Sequence, residues 1–138
     1  MHMRTRTRLA ALCQAHGIQL LFAFGSRARE ALELVGGRGR ALAANGADLD
    51  IGVKPSNLLG IREKASIALE LEELFGVRRV DLVVLPEADP FLAANIIRGE
   101  KLYAEDEHAA AEYVLYVLRR AGDLAPLERE RLSLLEKR

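Results

Sequence analysis

Three short runs of strand-forming residues alternate with segments of helical pattern, and that alternation limits the fold more than any other feature of this chain. The first run is Ile-Gln-Leu-Leu-Phe-Ala-Phe at 18–24, apolar enough for a buried strand. The second, at 48–53, alternates polar or small residues with Leu49, Ile51 and Val53, so its two faces differ. The third, at 77–85, is Val-Arg-Arg-Val-Asp-Leu-Val-Val-Leu and stops at Pro86. Helices are expected over 4–16, from Arg27 to Val35, over 60–75 ahead of Gly76, and from Pro90 through Ile97 to a stop at Gly99. Leu102-Tyr103 reads as one short extra strand. Asp106 should cap a helix that Gly122 ends, and Pro126 should open a last polar helix. The order is α-β-α-β-α-β-α-(β)-α-α. It implies one α/β sheet covered by helices, without fixing the strand order.

Composition excludes several classes. The chain has 138 residues, 50% of them hydrophobic and 29% charged, which suits one folded domain and not a disordered chain. Twenty basic and 20 acidic residues give a net charge of zero, so coating nucleic acid by bulk electrostatics is not expected. One cysteine (Cys13) and three histidines exclude a disulfide framework and argue against a Cys/His zinc site. No apolar run nears the roughly 18 residues of a membrane span, and the start lacks a signal-peptide pattern, so a cytoplasmic location is expected. The neutrality is a sum of unlike regions. Residues 1–40 carry seven basic and two acidic side chains, whereas 61–90 carry four basic and seven acidic ones.

The chemistry gathers at the strand ends. Residues i and i+2 of a strand share a face, so Asp48 and Asp50 should project together, opposite Leu49, Ile51 and Val53. Adjacent carboxylates repel unless they are solvated or hold a cation, and oxygen ligands suit Mg²⁺. Asp81 sits inside an apolar run, where a carboxylate is costly unless it is paired or metal-bound. An ion pair with Arg78 or Arg79 is one way to meet that cost. Beside the Asp48–Asp50 strand, Asp81 would instead complete a three-carboxylate cluster able to hold two Mg²⁺ ions about 4 Å apart. Gly25-Ser26 falls where a strand turns into a helix, whose N-terminal N–H groups and dipole favour a phosphate. Arg27 and Arg29 lie in the first helical turn, unfavourable for the dipole unless an anion sits there.

These residues resemble the minimal nucleotidyltransferases of the DNA polymerase β superfamily. The matching pattern is Gly25-Ser26-Arg27-Ala28-Arg29, then Asp48-Leu49-Asp50, then Val80-Asp81-Leu82-Val83, and a helix end leading through Gly99 to Leu102-Tyr103. The resemblance covers about residues 5–104. It implies a polymerase β-like fold with a small mixed sheet covered by helices, with residues 1–104 as the nucleotidyltransferase core and 105–138 as a C-terminal helical extension. It also implies transfer of a nucleoside monophosphate from an NTP, usually ATP, with two Mg²⁺ ions. Asp48, Asp50 and Asp81 would then hold metal, Asp81 would favour the attacking hydroxyl as an alkoxide, and Gly25 and Ser26 would hold the terminal phosphates beside Arg27 and Arg29. Family members often pair with a HEPN protein in toxin–antitoxin operons, and some adenylylate it on tyrosine. At this length the chain has no room for an acceptor-presenting second domain, which points to a partner chain.

Two departures stand out. Twenty-one residues, Arg27 to Ala47, separate Gly-Ser from the D-x-D, where the family pattern has about ten. The excess falls in a Gly/Arg loop at 36–46, read as a surface extension or as a cover whose Arg38 and Arg40 reach the phosphates. Glu30 stands where the family has Gly, and its carboxylate would weaken triphosphate binding there. A protein that neutralises a partner by binding alone, and a small-molecule nucleotidyltransferase, are the alternative functions. Tyr113, Tyr116, Ala109, Val117 and Arg120 fall near one face of the 106–121 helix, expected to pack on the core, with a partner groove as the lesser reading. The acceptor, the base preference and any homo-oligomerisation are not encoded in these motifs.

Overall fold

The computed structural model describes residues 4–38, 42 and 46–136. Its elements are α1 (Thr5–Ala15), β1 (Ile18–Phe24), α2 (Ala28–Val35), β2 (Leu49–Pro55), α3 (Ile61–Phe75), β3 (Val80–Val84), α4 (Pro90–Ile97), β4 (Glu100–Ala104) and α5 (Glu107–Glu136). Single 3-10 turns at Gly25–Arg27 and Leu85–Glu87 follow β1 and β3. The strands lie in the order β3-β2-β1-β4. β1 runs antiparallel to β2 and β4, while β2 and β3 are parallel, so the sheet is mixed as expected.

Strand alternation divides the core into two layers. Leu21 and Ala23 of β1, with Leu49, Ile51 and Val53 of β2, face α1, α2 and α3, where Leu12, Ile67, Leu71 and Phe75 are buried. Leu20 and Phe22 face the other way, onto Ala94 and Ile96 of α4 and Ala110 and Val117 of α5. Burying each such large side chain contributes about 1.5–3 kcal/mol. Gly52 lets α4 approach the second face, since a Cβ there would meet the Ile96 side chain at 2.5 Å.

Several boundaries follow their local chemistry. Gly76 ends α3 in the left-handed conformation at φ 70°. Asp89 accepts hydrogen bonds from the Phe91 and Leu92 N–H groups ahead of α4, with Pro90 at its first position. Asp106 caps α5 in the same way, through His108 and Ala109.

Other boundaries differ from the sequence pattern. The third strand starts at Val80, because Val77 to Arg79 form the connection from α3 and the Glu72 carboxylate takes the Val80 N–H. β2 starts at Leu49, so Asp48 stands one residue ahead of its strand. Gly122 and Pro126 do not end a helix. α5 runs unbroken through both for 30 residues. Proline costs a helix about 3 kcal/mol, but strong helix formers flank it here on both sides. On α5, Val117 is buried as expected, whereas Tyr116 stacks near Tyr113 and is 53% exposed.

Gly99 sets how closely α4 and β4 approach β1. A Cβ there would overlap the Ala23 carbonyl oxygen and crowd the Phe24 Cα, both of them backbone that cannot swing away. Gly99→Ala should lower stability by about 2–4 kcal/mol in denaturant titrations. Gly122→Ala, with nothing near its Cβ among the described residues, should be neutral or stabilising by up to about 1 kcal/mol. Equal effects of the two changes would contradict this packing.

Candidate active site

β1 delivers the chain to Phe24, which lies opposite Asp50 of β2. Asp50 in turn lies opposite Asp81 of β3. The next residue after Phe24, Gly25, takes φ +75°, a left-handed conformation that favours glycine. A Cβ on Gly25 would stand 2.5 Å from the Asp50 Oδ2. Glycine therefore lets the β1–α2 turn lie directly against the Asp50 carboxylate. This is the junction of the expected Gly-Ser turn and the D-x-D.

The aspartates are not equivalent. The Asp50 carboxyl is pushed above the usual carboxylate range, first by burial, then by the charges of Asp81 and Asp48, and by a hydrogen bond with Asp81. Asp48 and Asp81 have side chains 46% and 44% exposed. Arg79 reaches both of them, with its Nε 3.7 Å from Asp48 Oδ2 and its Nη2 3.3 Å from Asp81 Oδ1. The ion pair considered for Asp81 therefore exists, through Arg79. Among the described residues, no three acidic, His or Cys side chains form a ready-made metal cage. The structure sets Asp50 opposite Asp81, and Arg79 bridges Asp81 to Asp48, whose charge also reaches Asp50. This donor set still fits Mg²⁺, which keeps much of its water and takes one or two carboxylates together with substrate phosphates.

The two first-turn arginines part company. Arg27 shares a helical stripe with Ala31 and Val35, both buried, so its side chain enters the protein and is 4% exposed. It donates from Nη1 to the Ala47 carbonyl at 2.8 Å and pairs with the Glu30 carboxylate at 3.4 Å. The expectation that Arg27 flanks the phosphates gives way to this inward position. Glu30 is occupied by Arg27 as well. Arg29 stays exposed, with its Nε 3.6 Å from Glu33. Of the loop arginines, Arg40 lies outside the described residues.

Beside the turn opens a cleft of about 350 Å³, lined by Gly25, Ser26 and Arg29 from one side and by Asn95, Arg98 and Glu100 from the other. Neither Asn95 nor Arg98 is among the site residues expected from the sequence, although Arg98 lies in the helix end that resembles the family. Arg98 had a signal, a cation in the last turn before Gly99, but only the β1–β4 pairing brings that turn to the Gly-Ser end. Two smaller cavities, of about 210 and 280 Å³, share Lys54 and Tyr113 near the other end of β2, away from the aspartates.

Comparison with known proteins matches this arrangement. Residues 8–108 fit the family description "Polymerase beta, Nucleotidyltransferase". Among solved structures, a toxin–antitoxin with AMP-PNP is 19% identical, with a TM-score of 0.67 and 96% of each chain covered. The tri-AMPylated Shewanella oneidensis HEPN toxin in complex with MNT antitoxin gives 18% identity and a TM-score of 0.65, over 96% of this chain and 94% of that one. A structure provisionally assigned as a minimal nucleotidyltransferase is 30% identical, with a TM-score of 0.51, over 72% of this chain and 95% of that one. No curated protein matches the chain. The matched span runs from α1 into α5 and takes in the whole sheet with the Gly25, Asp50 and Asp81 junction, so the chain belongs to the polymerase beta nucleotidyltransferase family.

Proposed function

We propose that the protein transfers AMP from ATP to a hydroxyl acceptor, a tyrosine of a HEPN-family toxin, and so acts as the antitoxin of the pair in the cytoplasm. The observation that carries this reading is the contact of Gly25 with Asp50, itself opposite Asp81, at the mouth of a cleft with two exposed arginines. Asp48, Asp50 and Asp81 would hold Mg²⁺, which when bound neutralises the phosphates and polarises the α-phosphorus. Gly25 and Ser26 would seat the terminal phosphates at the start of the helical turn, and Arg29 and Arg98 would balance their charge from opposite walls of the cleft. The acceptor oxygen attacks the α-phosphorus, the bond to the β-phosphate oxygen breaks, and pyrophosphate leaves. The hydroxyl proton passes to the Asp81 carboxylate, which stands opposite Asp50 on β3.

Two features of the comparison support the donor and the acceptor. One similar structure is a toxin–antitoxin with AMP-PNP, and another holds an AMPylated HEPN toxin. Incubation with Mg²⁺ and ATP labelled at the α-phosphate should label a HEPN-family partner, whereas ATP labelled at the γ-phosphate should not. Transfer of the γ-label, or of neither label, would overturn this function. The Arg79 contacts to Asp48 and Asp81 support a second reading, neutralisation by binding alone, because they already satisfy two carboxylates without metal. Toxin neutralisation that persists after loss of all three aspartates would favour it.

A further inference from the structure

We propose that Arg27 is a positioning residue that sets the D-x-D in place after the long excursion from α2, with Glu30 as its counter-charge. The inference rests on the metal-binding role just given to Asp48 and Asp50.

Arg27 is the one buried polar or charged residue among those described, at 4% exposure. A guanidinium is costly to bury unless its donors are used. Arg27 directs one of them, Nη1, to the carbonyl of Ala47, the residue immediately before Asp48. Its Nε and Nη2 face the two Glu30 carboxylate oxygens, each at 3.4 Å. Glu30 is half exposed, whereas the Arg27 side chain is 5% exposed, so the acid of the pair meets water and the guanidinium does not.

The location gives this contact its consequence. Between the end of α2 at Val35 and the start of β2 at Leu49, the chain makes a 13-residue connection. Among the described residues, the returning chain is first tied to the β3 side by a backbone bond from Leu49 N–H to the carbonyl of Arg79, just ahead of β3, at 3.1 Å. Asp48 precedes that bond. Its peptide is held on one side by Leu49 and on the other by Arg27 through Ala47. Releasing Ala47 frees the Asp48 backbone while leaving Asp50, inside the ladder, in register. Arg27 therefore acts on metal binding through Asp48, without touching metal or nucleotide. Glu30 has a purpose in the same device. It holds the guanidinium inward and keeps its own carboxylate occupied.

The test is Mn²⁺ binding, measured by electron paramagnetic resonance with a non-hydrolysable ATP analogue present. Arg27→Met should weaken Mn²⁺ binding by about 10-fold or more, the scale of losing an outer-shell partner of a ligand. Arg27→Lys, which can still donate to the Ala47 carbonyl, should recover part of it. Glu30→Gln should weaken it less than Arg27→Met. Leu12→Ala, a core change in α1, provides a variant of lowered melting temperature with the site untouched. If Leu12→Ala weakens Mn²⁺ binding as much as Arg27→Met does, the role of Arg27 is merely structural and the inference is wrong. Wild-type affinity in Arg27→Met overturns it too. Should Arg27→Met fail to fold, Arg27→Lys and Glu30→Gln decide, and wild-type affinity in both counts against it. An unmutated protein that binds no Mn²⁺ instead removes the metal site, and this inference with it.

Discussion

Asp50→Asn should reduce nucleotidyl transfer by about 10³-fold while raising the melting temperature of the metal-free protein at pH 7. The first effect is the loss of the carboxylate that lies between Gly25 and Asp81, where transition-state charge is to be stabilised. The second follows from linkage. The Asp50 pKa is raised in the folded state, by burial first and by Asp81 and Asp48 after it. A raised acid binds its proton more tightly folded than unfolded, so stability falls as pH rises from the ordinary carboxylate range through the raised value. Above that window the ionised group is a net cost, and asparagine removes it. The two proteins should therefore melt together below about pH 3.5, where both states carry the proton, and diverge towards neutrality with the variant higher. Mg²⁺ with nucleotide should stabilise the wild type more than the variant. A variant that melts lower than wild type at pH 7 without metal would mean that Asp50 is held by attraction and not strained by burial and repulsion.

The same carboxylates show what the sequence can and cannot carry. Period-2 alternation was enough to separate Asp50 from Leu49 and Ile51, because those two belong to the core under α1, α2 and α3. Asp81 stood out by its apolar neighbours. The parallel pairing of β2 with β3, which sets Asp50 opposite Asp81, depends on tertiary packing and no local pattern encodes it. Asp48 looked equivalent to Asp50, yet it falls before the ladder begins and shares Arg79 with Asp81. Arg27 illustrates a readable signal that the charge argument outweighed. Its spacing from Ala31 and Val35 puts it on the buried stripe, and only Arg29 lies on the exposed side. At the C-terminal end, Gly122 and Pro126 are genuine stop signals in a local reading. They were overridden over an exposed stretch where Leu, Glu and Arg favour continuing the helix.

Gly25→Ala should abolish most of the transfer, by about 100-fold or more, with only a moderate loss of stability. Two costs act together. An alanine at φ +75° takes a left-handed conformation worth about 1–2 kcal/mol of strain. Its Cβ would also sit 2.5 Å from the Asp50 Oδ2, so the carboxylate or the turn must move. Asp50 is confined by its place in the ladder between Phe24 and Asp81, and a misplacement of about 1 Å at such a centre costs about 10²-fold. Gly37 separates the two costs. It has φ +80° and, among the described residues, nothing within 4 Å of its would-be Cβ, so Gly37→Ala carries the strain alone. A smaller loss of melting temperature in Gly37→Ala than in Gly25→Ala, with transfer lost only in Gly25→Ala, would locate the catalytic defect in the contact with Asp50. If Gly37→Ala loses transfer equally, backbone strain in the β1–β2 region is the cause and the Gly25–Asp50 contact is not. If Gly25→Ala keeps wild-type transfer, the carboxylate can leave that contact freely and the junction does not define the site.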